Sequence, residues 1–521
     1  MTSAKCKNDW KFVRIVVPVY PRENIFTQVV TKLTALGPIK LASIISTVWG
    51  CYVEVKDENN YTGPRGADGL PDHEVLQREN PADIVAIYGA MSCTIERVWK
   101  IAEIYRKFGC LVISGGWHAK DNPQETLSHG IDAVFYGKEG SDISDSVRDF
   151  FEAVVAGKPW TTTRGIYYLD NGVITKNPLE KREAVRGYDR SLDQQPFANF
   201  SFLTHAHKIE VFTTRRVVGC SGGCEFCRVC EPPRWASPLH FVMEVDWLVK
   251  HFGAKRFFRT DDNSGEDRAG ELEVWRTIKA KHGNKLKFGV QVRADIAEDD
   301  ELIEAMVEAG VVELYIGLES PIDEELEAMG KGYCCKDMER WILKLRKKFR
   351  HIHEMFIANY PLQGVKSNLS AKEVVKRFKR FIRKTKPDSI QVTLPGPLPK
   401  TGLRTRLEKE GRVLPLNVAP WNYYDGTLAI ILPDNMSFEE FQDTPMTIMK
   451  WFYSRNYFRI FWRLQATVLE SFAGRWETIR RSWRREAIRH FGATIVRRWQ
   501  QRKEKESLIQ RVKAYLKTRG S

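Results

Sequence analysis

Short apolar, β-branched runs alternate with longer stretches of helical period through most of this 521-residue chain. Residues 12–19 (FVRIVVPV), 51–55 (CYVEV), 82–89 (ADIVAIYG), 110–116 (CLVISGG) and 131–137 (IDAVFYG) read as strands. A helical pattern opens at Gly37-Pro38 and runs through Leu41, Ile44, Ile45 and Val48, and another covers about 94–108. Strands alternating with helices imply βαβ units and a parallel sheet. Ligands of such sheets bind beyond the carboxyl ends of the strands. Gly115, Gly116, Trp117 and His118 fall at one such end, and Gly137-Lys138-Glu139-Gly140 at another. Glycine there admits a large ligand to the backbone. Ordinary tight turns are the competing reading.

The alternation resumes further on. KRFFRTDDN (255–263) is a strand ending in Asp261 and Asp262. LKFGVQVRAD (286–295) places Gln291 and Arg293 on one face at period two. VVELYIGLES (311–320), containing Gly317, ends in Glu319, and strands at 353–364 and 388–399 follow. This is the repeat of an α/β barrel, closed or partial, whose chemistry sits at the strand carboxyl ends.

Cys220-Ser-Gly-Gly-Cys224-Glu-Phe-Cys227 is the most specific motif. Three thiolates at this spacing can converge on one cluster face and leave one iron of a four-iron cluster open. Cys230 could supply a fourth ligand and close a zinc site instead. Cys51, Cys93 and Cys110 lie in or beside apolar runs as core thiols, and Cys6, Cys334 and Cys335 receive no role.

The cysteine spacing, with Phe226 before the last Cys, resembles the radical S-adenosylmethionine (SAM) superfamily. GPIKLASII (37–45), GGWHAKDNPQETL (115–127) and DAVFYGKEG (132–140) resemble the cobalamin-binding domain that precedes the barrel in one large subgroup. The resemblance implies a flavodoxin-like parallel sheet, then a partial TIM-like α/β barrel, then a helical C-terminal region. It implies one 4Fe-4S cluster on Cys220, Cys224 and Cys227. SAM is expected at Phe226, Asp261, Asp262, Gln291, Arg293, Gly317 and Glu319, with the Arg293 fork suited to the SAM carboxylate. A buried charge network is the structural reading of Asp261, Arg293 and Glu319. Cobalamin is expected at Ser92, Thr94, Gly115, Gly116, Trp117, His118, Gly137 and Glu139. The Asp-x-His-x-x-Gly loop of many cobalamin enzymes is missing, so contact between His118 and cobalt does not follow. Tyr423, Tyr424 and Asp425, in a segment resembling one that closes the barrel, are the catalytic-pocket candidates, against plain packing.

The implied function is methylation of an unactivated carbon through a 5′-deoxyadenosyl radical and methylcobalamin. Cyclisation or rearrangement without methyl transfer, and RNA modification, are the alternatives. A small-molecule or lipid substrate and an external reductant such as flavodoxin or ferredoxin are implied as partners. The expected domains are 1–160 for cobalamin, 161–210 as a linker with a hairpin at Asp170-Asn-Gly, 211–400 for the barrel, 401–450 closing it, and 451–521 as the tail.

The chain carries 81 Lys and Arg against 66 Asp and Glu, a net charge of +15. Residues 451–521 alone hold 18 against 5, a net of +13, so the first 450 carry +2. The surplus belongs to a Trp- and Arg-rich tail of helical composition with few breakers beyond Gly474 and Gly492. Such a tail suits an anionic membrane surface or a helical cap on the barrel; nucleic acid is the weaker fit. With no signal-like start and no run of 18 apolar residues, the expectation is a cytoplasmic protein, peripheral to the inner membrane face through its tail.

Overall fold

The computed structural model describes residues 10–21, 32–137, 141–179, 186–229, 231–454 and 457–520. Cys6, Lys138, Glu139, Gly140 and Cys230 lie outside the described residues. The chain forms two compact units. One holds the residues up to Val218 together with Pro232–Thr260; the other holds Gly219–Glu231 and Asp261 onward.

The first unit is built on β1 (Lys11–Val17), β2 (Cys51–Asp57), β3 (Ile84–Tyr88), β4 (Leu111–Gly115), β5 (Ala133–Phe135), β6 (Ile166–Asp170) and β7 (Val173–Lys176). Their order is β2-β1-β3-β4-β5-β6-β7. The first five run parallel, with Val13 facing both Val53 and Ile84. The 2-1-3-4-5 order is the flavodoxin-like one, with its switch point between β1 and β3. The expected hairpin at Asp170-Asn171-Gly172 forms, and β6 pairs antiparallel with β5, so the hairpin extends this sheet. Apolar side chains on both faces bury the strands under helices such as Leu36–Ile45 and Ile95–Lys107. Arg14 is the exception in β1. Its side chain is 0% exposed, and its guanidinium meets Glu54 at 2.6 Å, Gln77, Tyr105 and the Asn80 carbonyl. A charge so buried persists only with every donor so occupied.

Farther along lie β8 (Gly187–Tyr188), β9 (Phe212–Thr214), β10 (Val217–Val218), β11 (Arg234–Trp235) and β12 (Arg256–Arg259). β8, β10 and β11 make a small sheet, and β9 pairs in parallel with β12, Phe212 against Phe257.

The second unit carries β13 (Lys287–Val292), β14 (Val311–Glu319), β15 (His351–Ile357) and β16 (Ser389–Thr393), each parallel to the next. Helices Asp300–Glu308, Cys335–Lys348 and Ala371–Thr385 cross between them, giving the expected α/β barrel repeat. The last of these starts at Ser370, whose hydroxyl accepts from the Glu373 amide at 3.3 Å. Its Phe378 and Phe381 rings pack 5.6 and 6.0 Å from Phe356 of β15. The opposite strand face carries Gln291, Tyr315, Glu319, His353, Met355, Gln391 and Thr393, all half-buried. The strands are therefore sealed on the helix side and polar on the other.

The tail folds as helices Tyr457–Phe472, Trp476–Gln500 and Glu504–Gly520. Gly474, at φ +66°, separates the first two, as expected. Gly492 breaks nothing. It lies inside the second helix, and glycine is required there by space, since a Cβ would stand 2.2 Å from the Tyr453 ring. Tyr453 in turn bonds both the amide and the carbonyl of Ile390 in β16. Arg485 pairs with Asp388 at 2.5 Å, and Arg502 with Asp425 at 2.6 Å. Lys513 of the third helix pairs with Glu439 at 2.6 Å, so the second and third tail helices pack on the rest of the second unit.

Candidate active site

The cysteine loop is shaped by its two glycines. Gly223 adopts φ +60°, which favours glycine. Gly222 is a matter of space: a Cβ there would meet Arg293 Nη1 at 3.0 Å, Cys220 Sγ at 3.3 Å and Cys224 Sγ at 3.7 Å. Two of the three sulfurs and the Arg293 fork thus converge around one small residue. Burial pushes the Cys220 thiol up to about 11 and raises that of Cys224. Among the described residues no three ligand side chains already stand in closed metal-binding geometry.

The loop is anchored at both ends by acidic side chains. The Gly219 amide donates to Asp262 at 2.8 Å. The Ser221 amide and hydroxyl both donate to Glu266 Oε1 at 2.9 Å, and Asn263 adds a third donor. Burial opposes the Glu266 charge, but these donors outweigh it and hold its pKa below the usual range. Between the last two cysteines' neighbours, Glu225 accepts both forks of Arg406, at 2.7 and 2.9 Å, and the Tyr360 hydroxyl at 2.6 Å. The Phe226 ring packs on Tyr360 with centroids 6.1 Å apart.

The strand ends hold the remaining charges. Asp261 accepts from Ser264 at 3.2 Å, and its carbonyl accepts from Gln291 at 3.3 Å. Arg293 donates to Asp295 at 3.1 Å and to the Lys331 carbonyl, and lies 5.4 Å over the Tyr333 ring. Burial works against the Arg293 charge, yet Asp295 keeps its pKa raised. Lys331 Nζ donates to the Gly317 carbonyl at 3.0 Å and to Glu319 at 3.3 Å. Glu319 itself adopts φ +67°, a strained conformation for a non-glycine residue at the end of β14.

In the first unit, the ends of β3 and β4 approach closely. The Gly89 amide donates to the Gly115 carbonyl at 2.8 Å. Gly116 has φ +109°, and a Cβ there would stand 2.7 Å from the Ala90 backbone. Trp117 and His118 open the short helix that follows. His118 is buried and Nδ1 shares a 2.8 Å hydrogen bond with the Ser92 hydroxyl. Thr94 donates to the Met91 carbonyl, and the Lys120 ammonium sits 3.6 Å over the Trp117 ring. Ser92, Gly115, Gly116 and His118 are thus brought together, and Gly137 follows β5 on the same sheet edge.

A model of the radical SAM superfamily matches residues 215–363, the stretch from the cysteine loop through β15. These residues form a radical SAM domain. The chain is similar to bacteriochlorophyllide d C-8(2)-methyltransferase of Chlorobaculum tepidum, at 24% identity over 70% of this chain and 76% of that one. It is also similar to the anaerobic magnesium-protoporphyrin IX monomethyl ester cyclase of Cereibacter sphaeroides, at 23% identity over 81% and 69%. The solved structure of the cobalamin-dependent SAM radical enzyme OxsB, with aqua-cobalamin and SAM bound, superposes with a TM-score of 0.61 at 15% identity, covering 98% of this chain and 81% of that chain. The architecture expected above, a flavodoxin-like sheet followed by a radical SAM barrel and a helical C-terminal region, is the one observed.

Within the radical SAM domain, sequence reasoning missed Glu266, Lys331 and Tyr333, and the partners of Glu225. Glu225 sits inside the cysteine motif, and a carboxylate there signals a cationic partner. Its Arg406 lies 181 positions away, beyond any local pattern. Tyr423, Tyr424 and Asp425 lie outside the stretch matched by the radical SAM model; both tyrosines are buried, and Asp425 is half-buried with its side chain fully covered. Asp425 is held by Arg502 and by Thr427, and the Tyr423 hydroxyl accepts from Arg511 at 2.5 Å. The polar groups of Asp425 and Tyr423 are thus engaged from the tail, by Arg502 between its last two helices and by Arg511 of the third.

Proposed function

We propose that this chain is a cobalamin-dependent radical SAM enzyme that methylates an unactivated carbon of a largely apolar small molecule, of lipid or isoprenoid type. The observation that carries the reading is the cysteine loop with Arg293 beside it, on a chain that also holds a flavodoxin-like sheet with glycine-lined strand ends. The donor set fits the cofactors. Iron binds the three cysteines as thiolates and releases their protons, and the spacing on one glycine-shaped loop suits three ligands to one cluster. Cys220, Cys224 and Cys227 would hold a 4Fe-4S cluster, Arg293 would pair the SAM carboxylate, and the Ser92–His118 and Gly115–Gly116 edge would face cobalamin. Once bound, these groups supply an electron, a hydrogen-abstracting centre and a methyl group. An sp3 C–H bond is too weakly acidic for a side-chain base, so the chain's own residues have to bind, orient and exclude water. Asp262 and Glu266 hold the loop backbone. Glu225, Arg406 and Tyr360 fix its far side. Lys331 and Glu319 keep the end of β14 in place.

The electron would come from an external flavodoxin or ferredoxin. The test is the product balance of the reduced, reconstituted enzyme with candidate substrates. Methyl transfer predicts S-adenosylhomocysteine alongside 5′-deoxyadenosine in equal amounts. 5′-Deoxyadenosine alone, with a modified but unmethylated product, refutes it in favour of cyclisation or rearrangement.

A further inference from the structure

The first tail helix, Tyr457–Phe472, is amphipathic with its faces reversed. At about 100° per residue, Phe458, Phe461, Trp462, Leu464, Val468, Leu469 and Phe472 fall within one arc of roughly 160°. In a globular protein that arc faces the core. Here it faces outward: Phe458 is 80% exposed, Trp462 67%, Leu469 72% and Phe472 88%. The polar side faces the protein. Arg459 pairs with Glu486 of the second tail helix at 2.9 Å, and Trp483 of that helix donates to Thr467 at 3.0 Å. Seven large apolar side chains at such exposure amount to roughly 800 Å², beyond the few hundred Å² that a monomer ordinarily shows.

The tail also exposes cations. Arg475, Arg480, Arg497 and Arg498 are exposed, and none forms an ion pair among the described residues. Residues 451–521 carry +13. That charge disfavours a second copy of this chain as the occupant, since two such tails would repel. It complements an anionic bilayer. No described helix is long and apolar enough to cross a membrane, so the helix would lie on the surface. We infer that the outward face of Tyr457–Phe472, with Arg475 and Arg480, docks the protein on anionic phospholipid. The inference is independent of the reaction proposed above.

The test is flotation of the full chain, under anaerobic conditions, with vesicles of phosphatidylcholine alone and of phosphatidylcholine mixed with phosphatidylglycerol. Binding to the anionic vesicles is expected to be on the order of tenfold tighter, and to weaken with salt. Trp462→Glu with Leu469→Glu removes binding to both vesicles. Arg475→Gln with Arg480→Gln removes the preference for the anionic ones. Both pairs point to solvent, so an unchanged unfolding temperature confirms that each variant is folded. Equal partitioning of the wild type between the two vesicles, or none to either, overturns the inference. So does a wild-type dimer in light scattering that Trp462→Glu with Leu469→Glu converts to monomer, since the face then covers a second copy.

Discussion

Replacing Arg406 by Met tests whether the cysteine loop is held in place by Glu225. The Glu225 and Arg406 side chains are only 14% and 18% exposed. Arg406 supplies two charge-assisted hydrogen bonds to the carboxylate and two more to the carbonyls of Pro361 and Leu362. Met fills a similar volume without the charge. Glu225 then keeps only the Tyr360 hydroxyl, and a largely buried carboxylate stands uncompensated. Breaking such a pair costs about 3 kcal/mol, or roughly 150-fold in the equilibrium between the held and the released loop. The loop carries the cluster ligands, so the reconstituted variant should lose iron to a chelator on the order of 100-fold faster than the wild type. Adding Glu225→Gln removes the orphaned charge and should restore most of the resistance, because deleting both partners costs far less than deleting one. Wild-type iron retention in the Arg406→Met variant would refute the reasoning. So would a double variant no better than the single.

Other outcomes follow from the same structure. Gly116→Ala forces a side chain into φ +109° and against the Ala90 backbone, and should lower stability by about 2–4 kcal/mol in thermal unfolding of the cobalamin-free chain. Glu354 is buried, and burial pushes its carboxyl up to about 8, against the help of Thr385. Between pH 4.5 and 8 the unfolded chain ionises there and the folded one does not, so stability falls as pH rises through that window. Glu354→Gln should match the wild type near pH 4.5 and exceed it by a few kcal/mol at pH 8, read from denaturant midpoints. Arg502→Met leaves the Asp425 side chain, 0% exposed, without its cation and should cost about 3 kcal/mol. Asp425→Asn in the same chain should recover most of that loss.

What was legible in the sequence is what short-range chemistry writes. The strands of the first sheet, the hairpin at Asp170-Asn171-Gly172 and the barrel repeat follow from side-chain period and turn residues, which act over a few positions. The cysteine motif follows from ligand spacing on one loop, while the placing of Arg293 beside it is implied by the resemblance to the radical SAM superfamily and not by the alternation, which only sets Arg293 on one face with Gln291. What the tertiary structure alone decided is which distant groups meet. Arg406 reaches Glu225, Lys331 reaches Glu319, and Arg502 reaches Asp425, because helices and strand ends fold back over tens to hundreds of residues. It also decided what the tail does. Its charge and tryptophans are plain in the sequence, but the periodicity of Tyr457–Phe472 reads the same whether the apolar arc faces in or out. Only the packing of its polar side against Glu486 and Trp483 turns that arc outward. An amphipathic pattern states that a helix has two faces, and the neighbours it packs against determine which of them meets water.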